Sequence, residues 1–199
     1  MRVIAGTFRS RQLKSLKGLA LRPTSDRLRE TLFNVLAVRI EGSRFIDAFA
    51  GTGAVGIEAI SRGAGEVVFI ENHLPAAKLI QKNLDALEIR TGAQVFPVDA
   101  LRALERLVTA HKPGTPPFDI VFLDPPYAAT EEYRRILDCL GDTPFFADGS
   151  LVVAEHSRKF ALPEQIGALE RVRVLHQGDA SLSFYRFSAQ GSVSNSVTE

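Results

Sequence analysis

The stretch Ile120-Val121-Phe122-Leu123-Asp124-Pro125-Pro126-Tyr127 decides how the rest of the chain is read. Four apolar residues predict a buried strand, which ends abruptly in an acid, two prolines and an aromatic ring. Pro125 and Pro126 offer no backbone N–H and fix their own φ, so the strand stops there and the turn is stiff. Open α/β sheets place ligand chemistry at such carboxyl ends. Asp124 brings acceptor oxygens, the Pro125 carbonyl another acceptor, and Tyr127 a flat face. The combination suits a planar ring that carries an amino group.

Outward from this strand, the chain alternates between two hydrophobic periods. Strands are predicted at Arg44–Phe49, Glu66–Glu71, Ala93–Val98, Phe118–Leu123 and Ser150–Glu155. Helices are predicted between them, at Gly53–Arg62, Leu74–Leu87, Leu101–Ala110 and Glu131–Leu140. Within the second of these, Leu74, Ala77, Ile80, Leu84 and Leu87 are spaced for one buried face. Repeated βα units imply an α/β protein whose mostly parallel sheet is flanked by helices. Arg171–His176 and Ser181–Phe187 have no helix between them, only the turn Gln177-Gly178-Asp179-Ala180, and are expected to pair antiparallel at the sheet edge. Before the alternation, residues 2–15 read as a short hairpin. Thr24-Ser25-Asp26 then offers helix N-caps, and Leu28, Leu32, Val35 and Leu36 recur at helical spacing through about Ile40. The segment from Ser188 to Glu199 is polar, rich in Ser and without periodicity, and is expected to be a disordered tail. This divides the chain into an N-terminal appendage (1–40), a catalytic domain (41–187) and a tail (188–199).

Composition narrows the function classes. At 199 residues and 45% hydrophobic, the chain can bury a substantial core. No apolar run is long enough to span a bilayer, and the start Met1-Arg2-Val3-Ile4-Ala5-Gly6 shows no signal-peptide h-region, so export is not expected. The single Cys139 cannot form an internal disulfide, which fits a reducing cytoplasm. The four histidines (His73, His111, His156, His176) lack metal-ligand spacing, so no metal is expected. The net charge of +1 is uneven. Residues 1–40 carry nine Lys or Arg against Asp26 and Glu30, a balance of +7, which leaves −6 for the other 159 residues. A basic end on an acidic body suggests a polyanion-binding segment, with a merely solvated basic surface as the alternative.

The loop Asp47-Ala48-Phe49-Ala50-Gly51-Thr52-Gly53-Ala54-Val55-Gly56 joins the first strand of the alternating region to its first helix. Gly51 and Gly53 let the backbone turn tightly and let a ligand approach closely. Glu71 ends the next strand, where an acid can accept hydrogen bonds from ribose hydroxyls. Asp99 follows the third strand, in reach of an adenine amino group. Gly51-x-Gly53-x-x-Gly56 followed by Glu71 also matches a dinucleotide fingerprint, so a nicotinamide oxidoreductase is a rival. Asp47 favours the other cofactor. A carboxylate repels a pyrophosphate but suits the ammonium and sulfonium of S-adenosylmethionine.

Asp-x-Phe-x-Gly-x-Gly after one strand, acids after the next two, and Asp124-Pro125-Pro126-Tyr127 after the fourth resemble a class I, Rossmann-like, S-adenosylmethionine-dependent amino-methyltransferase. More narrowly, three segments resemble the RsmD family: Arg2-Val3-Ile4-Ala5-Gly6; Arg22-Pro23-Thr24-Ser25-Asp26-Arg27-Leu28-Arg29-Glu30-Thr31-Leu32-Phe33-Asn34; and Gly51 through Ala64. The resemblance runs from Arg2 to about Phe187. It implies methylation of the exocyclic N2 of one guanine, guanine 966, in bacterial 16S ribosomal RNA. By the same resemblance, Asp47, Ala48, Phe49, Gly51, Gly53, Glu71, Asp99, Ala100 and Asp124 hold S-adenosylmethionine. Asp124, Pro125, Pro126 and Tyr127 form the catalytic turn. Arg9, Arg11, Lys14, Arg22, Arg27 and Arg29 are the candidate RNA contacts, by charge and position. The expected partner is 16S rRNA, in the 30S subunit or a late assembly intermediate, met by a monomer. Gln177 departs from the family, which usually has Tyr before the Gly-Asp turn. Other amino-methylating families, acting on other RNA, DNA or protein, share the Asp-Pro-Pro-Tyr turn.

Overall fold

The computed structural model describes residues 1–15, 25–112, 114–126, 130–141 and 146–188. Arg22, Tyr127 and the tail beyond Ser188 lie outside them. The N-terminal hairpin forms: Arg2 bridges Gln12 antiparallel, and Val3 and Leu13 donate N–H bonds to Arg11 and Met1 across it. Helix α1 (Asp26–Leu36) starts where the Ser25 hydroxyl accepts the Leu28 N–H at 3.1 Å. It ends four residues earlier than the periodicity suggested. Its inward row Leu28, Leu32, Phe33, Leu36 is then complete, and Val38 is 93% exposed.

The alternating region follows as β1 (Arg44–Ala48), α2 (Ala54–Ser61), β2 (Glu66–Ile70), α3 (Leu74–Ala86), β3 (Ala93–Phe96), α4 (Ala100–Ala110), β4 (Phe118–Leu123), α5 (Thr130–Gly141) and β5 (Phe146–Ser157). The chain closes with β6 (Gln165–Ile166), β7 (Leu169–Gln177) and β8 (Ala180–Phe187). One eight-stranded sheet results, in the order β3-β2-β1-β4-β5-β8-β7-β6. The first five strands in that order run parallel; β8, β7 and β6 each pair antiparallel with the neighbour before them.

Side-chain alternation divides the core into two layers. Phe45, Phe69, Ile120, Phe122 and Val153 face one cluster with the hairpin, α1, α2 and α3. Ile46, Val68, Val121, Leu123 and Val152 face the other, with α4 and α5. The basic N-terminal segment therefore contributes Val3, Leu13, Leu28, Leu32, Phe33 and Leu36 to the same buried cluster as the sheet.

Two differences from the expected strands share a cause in tertiary pairing. β5 runs past Glu155 through His156 and Ser157, because each finds a partner in β8 (Ser181 and Ala180) and the His156 ring bonds Ser183 Oγ at 2.8 Å. Satisfied polar groups can be buried, so the strand outlasts its apolar run. The final hairpin pairs as expected, but β8 inserts beside β5 and becomes internal, leaving β6 as the edge. β6 has only two residues, too few for periodicity to show. Ser188, the first residue of the expected tail, still donates its amide to the Ala168 carbonyl.

Candidate active site

The register brings the strand ends level. Ile70 pairs with both Phe96 and Ala48, Ala48 with Leu123, and Leu123 with Ala154. The loops after β1, β2, β3 and β4 thus leave one carboxyl edge together. The strand order reverses between β1 and β4, and crevices for ligands form at such reversals in open sheets. The glycine loop and the Asp124 turn stand on its two sides.

The glycine loop is held from below by two carboxylates. Asp47 lies on the α2 side of β1, 2% exposed, and accepts the Gly56 N–H at 2.8 Å. Glu71 accepts the Gly51 N–H at 2.7 Å and the His73 N–H at 2.8 Å. Gly53 has φ +78° where it caps α2, a conformation that L side chains rarely adopt. At Gly56 a Cβ would lie 2.3 Å from the Phe69 ring, so only glycine lets α2 pack this close to β2. Phe49 holds φ +69°, a strained conformation for an aromatic residue, at the entrance to the loop. Asp99 caps α4 by accepting the Arg102 N–H at 3.1 Å, and remains exposed. The cap leaves its second oxygen available.

Burial pushes the Asp47 carboxyl up to about 7, and the nearby Glu71 charge acts in the same direction against the Gly56 hydrogen bond. Among the described residues neither acid is ion-paired. Two close carboxylates without a cation, beside a loop with room in front of Gly51, suit a positively charged ligand. They are a poor seat for a pyrophosphate. The shift has a consequence for stability. The folded state retains the Asp47 proton up to about pH 7, whereas the unfolded chain releases it near 3.8. This contribution to stability is therefore full below pH 3.8 and is lost as pH rises through 7. Denaturant midpoints measured across that range should fall with pH in the wild type, with a flatter profile in Asp47→Asn. An equal slope in the variant would assign the effect to another group.

On the far side, Asp124 is half-buried, Pro125 buried and Pro126 exposed. The Pro125 carbonyl lies 3.3 Å from the Tyr133 hydroxyl, which also donates to the Glu155 carbonyl on β5. Tyr133 is 1% exposed and packs against Phe160 at 5.8 Å. It ties the turn to α5 and β5. The sequence places Tyr133 on the inward row with Ile136, Leu137 and Leu140, but its polar partners are remote in sequence. Tyr127, the expected stacking residue, lies outside the described residues.

The expected RNA contacts separate into groups. Arg29 is corrected outright: it is fully buried, bonding the Arg2 carbonyl at 2.7 Å and Asp26 at 3.0 Å, and cannot meet a phosphate. Its position on the inward face of α1, next to Leu28 and Leu32, is the reason. Arg9, Arg11, Lys14 and Arg27 are exposed. The hairpin tip, however, docks on Ser61, the last residue of α2, through the Thr7 and Phe8 amides at 2.8 and 2.9 Å. Arg11 donates to the Ala86 carbonyl at the end of α3. Arg9 and Arg11 thus sit roughly 12 Å, the length of α2, from its start beside the loop. Lys14 is tied to α3 by the Asn83 side chain, which also reaches the Thr52 carbonyl.

Residues 1–186 match the family described as Conserved hypothetical protein 95. The chain is 37% identical to "Putative rRNA methyltransferase YlbH" of Bacillus subtilis, over 94% of this chain and 98% of the relative. It is 35% identical to "Ribosomal RNA small subunit methyltransferase D" of Escherichia coli K12, over 96% and 92%. The solved structure of "Putative methyltransferase yhhF from Escherichia coli" superposes with a TM-score of 0.82 at 32% identity, covering 96% of this chain and 99% of that one.

Proposed function

The chain belongs to the Conserved hypothetical protein 95 family, the RsmD family of S-adenosylmethionine-dependent methyltransferases, and from that premise we propose that it methylates the exocyclic N2 of guanine 966 in 16S ribosomal RNA. Its sheet is the class I, Rossmann-like methyltransferase fold with antiparallel strands at the C-terminal side. The proposed substrate form is the 30S subunit or a late assembly intermediate, the working unit a monomer in the cytoplasm, and no metal takes part. Among the described residues no helix is long and apolar enough to cross a membrane. The observation that carries the reading is the level carboxyl edge, with an acid-floored glycine loop facing an Asp-Pro-Pro turn across the β1–β4 reversal.

S-adenosylmethionine, when bound, supplies an electrophilic methyl group on a sulfonium. The protein's part is to seat that cation and to orient the nucleophile. Asp47 and Glu71 shape the loop and supply negative charge beneath it; Asp99 and Ala100 stand where the adenine end is assigned, with Ala48 and Phe49 lining the β1 side. The guanine amino nitrogen is a poor nucleophile because its lone pair is conjugated with the ring. Asp124 and the Pro125 carbonyl are assigned to accept its two hydrogens, which favours a more tetrahedral nitrogen with its lone pair aimed outward. Tyr133 steadies that carbonyl from behind. Tyr127 is assigned to stack on the base, worth roughly 1–3 kcal/mol. The base must leave its helix to enter. Asp124 is not required as a strong base, since the methylated nitrogen is acidic enough to release its proton.

The test is methylation with labelled cofactor on unmodified 30S particles and on naked 16S RNA, followed by mapping of the modified base. Incorporation at N2 of guanine 966 is expected. Methylation only of another RNA, of DNA or of protein would replace the substrate. Binding of NAD in calorimetry, with none of S-adenosylmethionine, would overturn the cofactor as well.

A further inference from the structure

The catalytic turn has cations closer to it than the hairpin tip. β5 continues three residues beyond Ala154, the partner of the last residue of β4, and ends at Ser157 on the same carboxyl edge. A tight turn follows, closed by the Phe160 N–H to the Ser157 carbonyl at 2.9 Å. Arg158 and Lys159 form its tip, and both side chains are exposed. The backbone beneath them is held on three sides. The Arg158 N–H donates to the Asp179 carbonyl at 2.8 Å, and the Lys159 N–H to Ser157 Oγ at 3.3 Å. Phe160 packs on Tyr133 at 5.8 Å and edge-on to His156 at 6.4 Å. The same Tyr133 hydroxyl lies 3.3 Å from the Pro125 carbonyl. The basic tip and the catalytic turn therefore share one aromatic support.

Asp179 belongs to the β7–β8 turn, and this turn gathers a third cation. Thr31 on α1 donates to the Gln177 side-chain oxygen at 3.1 Å. Arg27, exposed, lies one helical turn earlier, and its carbonyl is also within hydrogen-bond distance of the Thr31 hydroxyl. Arg158 and Lys159 thus adjoin the β7–β8 turn on the carboxyl edge, and α1 carries exposed Arg27 one helical turn from its own contact with that turn, with exposed His176 and the Asp179 carboxylate also there. Among the described residues none of the three cations is ion-paired. Along β5 the tip stands roughly 10 Å beyond the end of β4. A base inserted at the Asp124 turn would keep its flanking phosphates at about that reach.

Resting on the RNA reading above, we propose that Arg158 and Lys159, with Arg27, form a phosphate-contacting rim around the β7–β8 turn, holding the RNA strand next to the extruded nucleotide. The contacts are to backbone, so they position without reading sequence. The cations of the hairpin tip, Arg9 and Arg11, serve a more distant part of the same RNA.

The test is the double variant Arg158→Gln/Lys159→Gln in the full chain, binding unmodified 16S RNA over a salt series. RNA affinity near 0.1 M salt should fall about tenfold, and the slope of log Kd against log salt should drop by about 1.4 to 1.8, two phosphate contacts' worth. Binding of S-adenosylmethionine should stay at its wild-type value. A matched charge change on the α4 side, Arg106→Gln/Lys112→Gln, should leave the slope unaltered. An unchanged slope in the first variant, or an equal drop in the second, overturns the rim. If the wild-type protein itself neither binds nor methylates small-subunit RNA, the functional reading fails first and is recognised by that result.

Discussion

Replacing Asp124 with alanine should lower single-turnover methylation of unmodified 30S particles by on the order of 10²–10³-fold, the usual effect of removing one preorganised polar group from a transition state. The expectation follows from the turn itself. Pro125 and Pro126 present no N–H, so acceptors alone meet the incoming amino group. Of the groups there, only the Asp124 side chain and the Pro125 carbonyl are assigned to it. Alanine removes the first and leaves the second, which Tyr133 still supports. Affinity for S-adenosylmethionine should fall far less than turnover, because the loop bonds from Asp47 and Glu71 are untouched. Asp124→Asn, which keeps one acceptor oxygen, should retain more activity than the alanine variant. Near-normal turnover in Asp124→Ala would remove this residue from the mechanism.

A second large effect is expected away from the crevice. Glu58→Ala should cost about 3–5 kcal/mol of stability, the range for breaking a buried ion pair from one side. Glu58 is fully buried on α2 and accepts the Ile4 N–H at 2.7 Å, the Ala5 N–H at 3.0 Å and Arg62 Nε at 2.7 Å. Its Oε2 also lies 3.9 Å from Nε of buried Arg29. Burial lowers the Arg29 pKa, while Asp26 and Glu58 act against that shift. Without Glu58, Arg29 keeps Asp26 as its one acidic partner among the described residues, and two amides of the hairpin lose their acceptor. Urea titration should show the loss, and hydrogen exchange should show the Ile4 and Ala5 amides exposed ahead of the sheet. A loss below about 1 kcal/mol with both amides still protected would mean that water or a shifted side chain replaces the carboxylate.

Much of the sheet was legible because its signals are local. Phe118–Leu123 ends at a diproline, and the structure ends β4 at the same residue. The glycine loop announced a tight strand-to-helix turn, and Gly53 holds the required positive φ. Asp47, Glu71 and Asp99 stand at strand ends as expected. Their hydrogen bonds could not be foreseen, since they depend on which amides the loop turns toward each acid. Arg29 was misread for a related reason. Charge counts treat every arginine as a surface cation, and only the packing of α1 against Arg2 and Glu58 shows that this one is internal.

The sequence by itself determined the alternation of strand and helix, the stiff acceptor turn at Asp124 and the acid-floored glycine loop, because periodicity, proline and glycine act within a few residues of one another. The tertiary structure alone decided which of those pieces meet. The reversal between β1 and β4, the insertion of β8 beside β5 and the burial of Glu58 with Arg29 all join residues far apart in the chain. Such contacts form only when apolar faces find a common core and the remaining polar groups must find partners inside it.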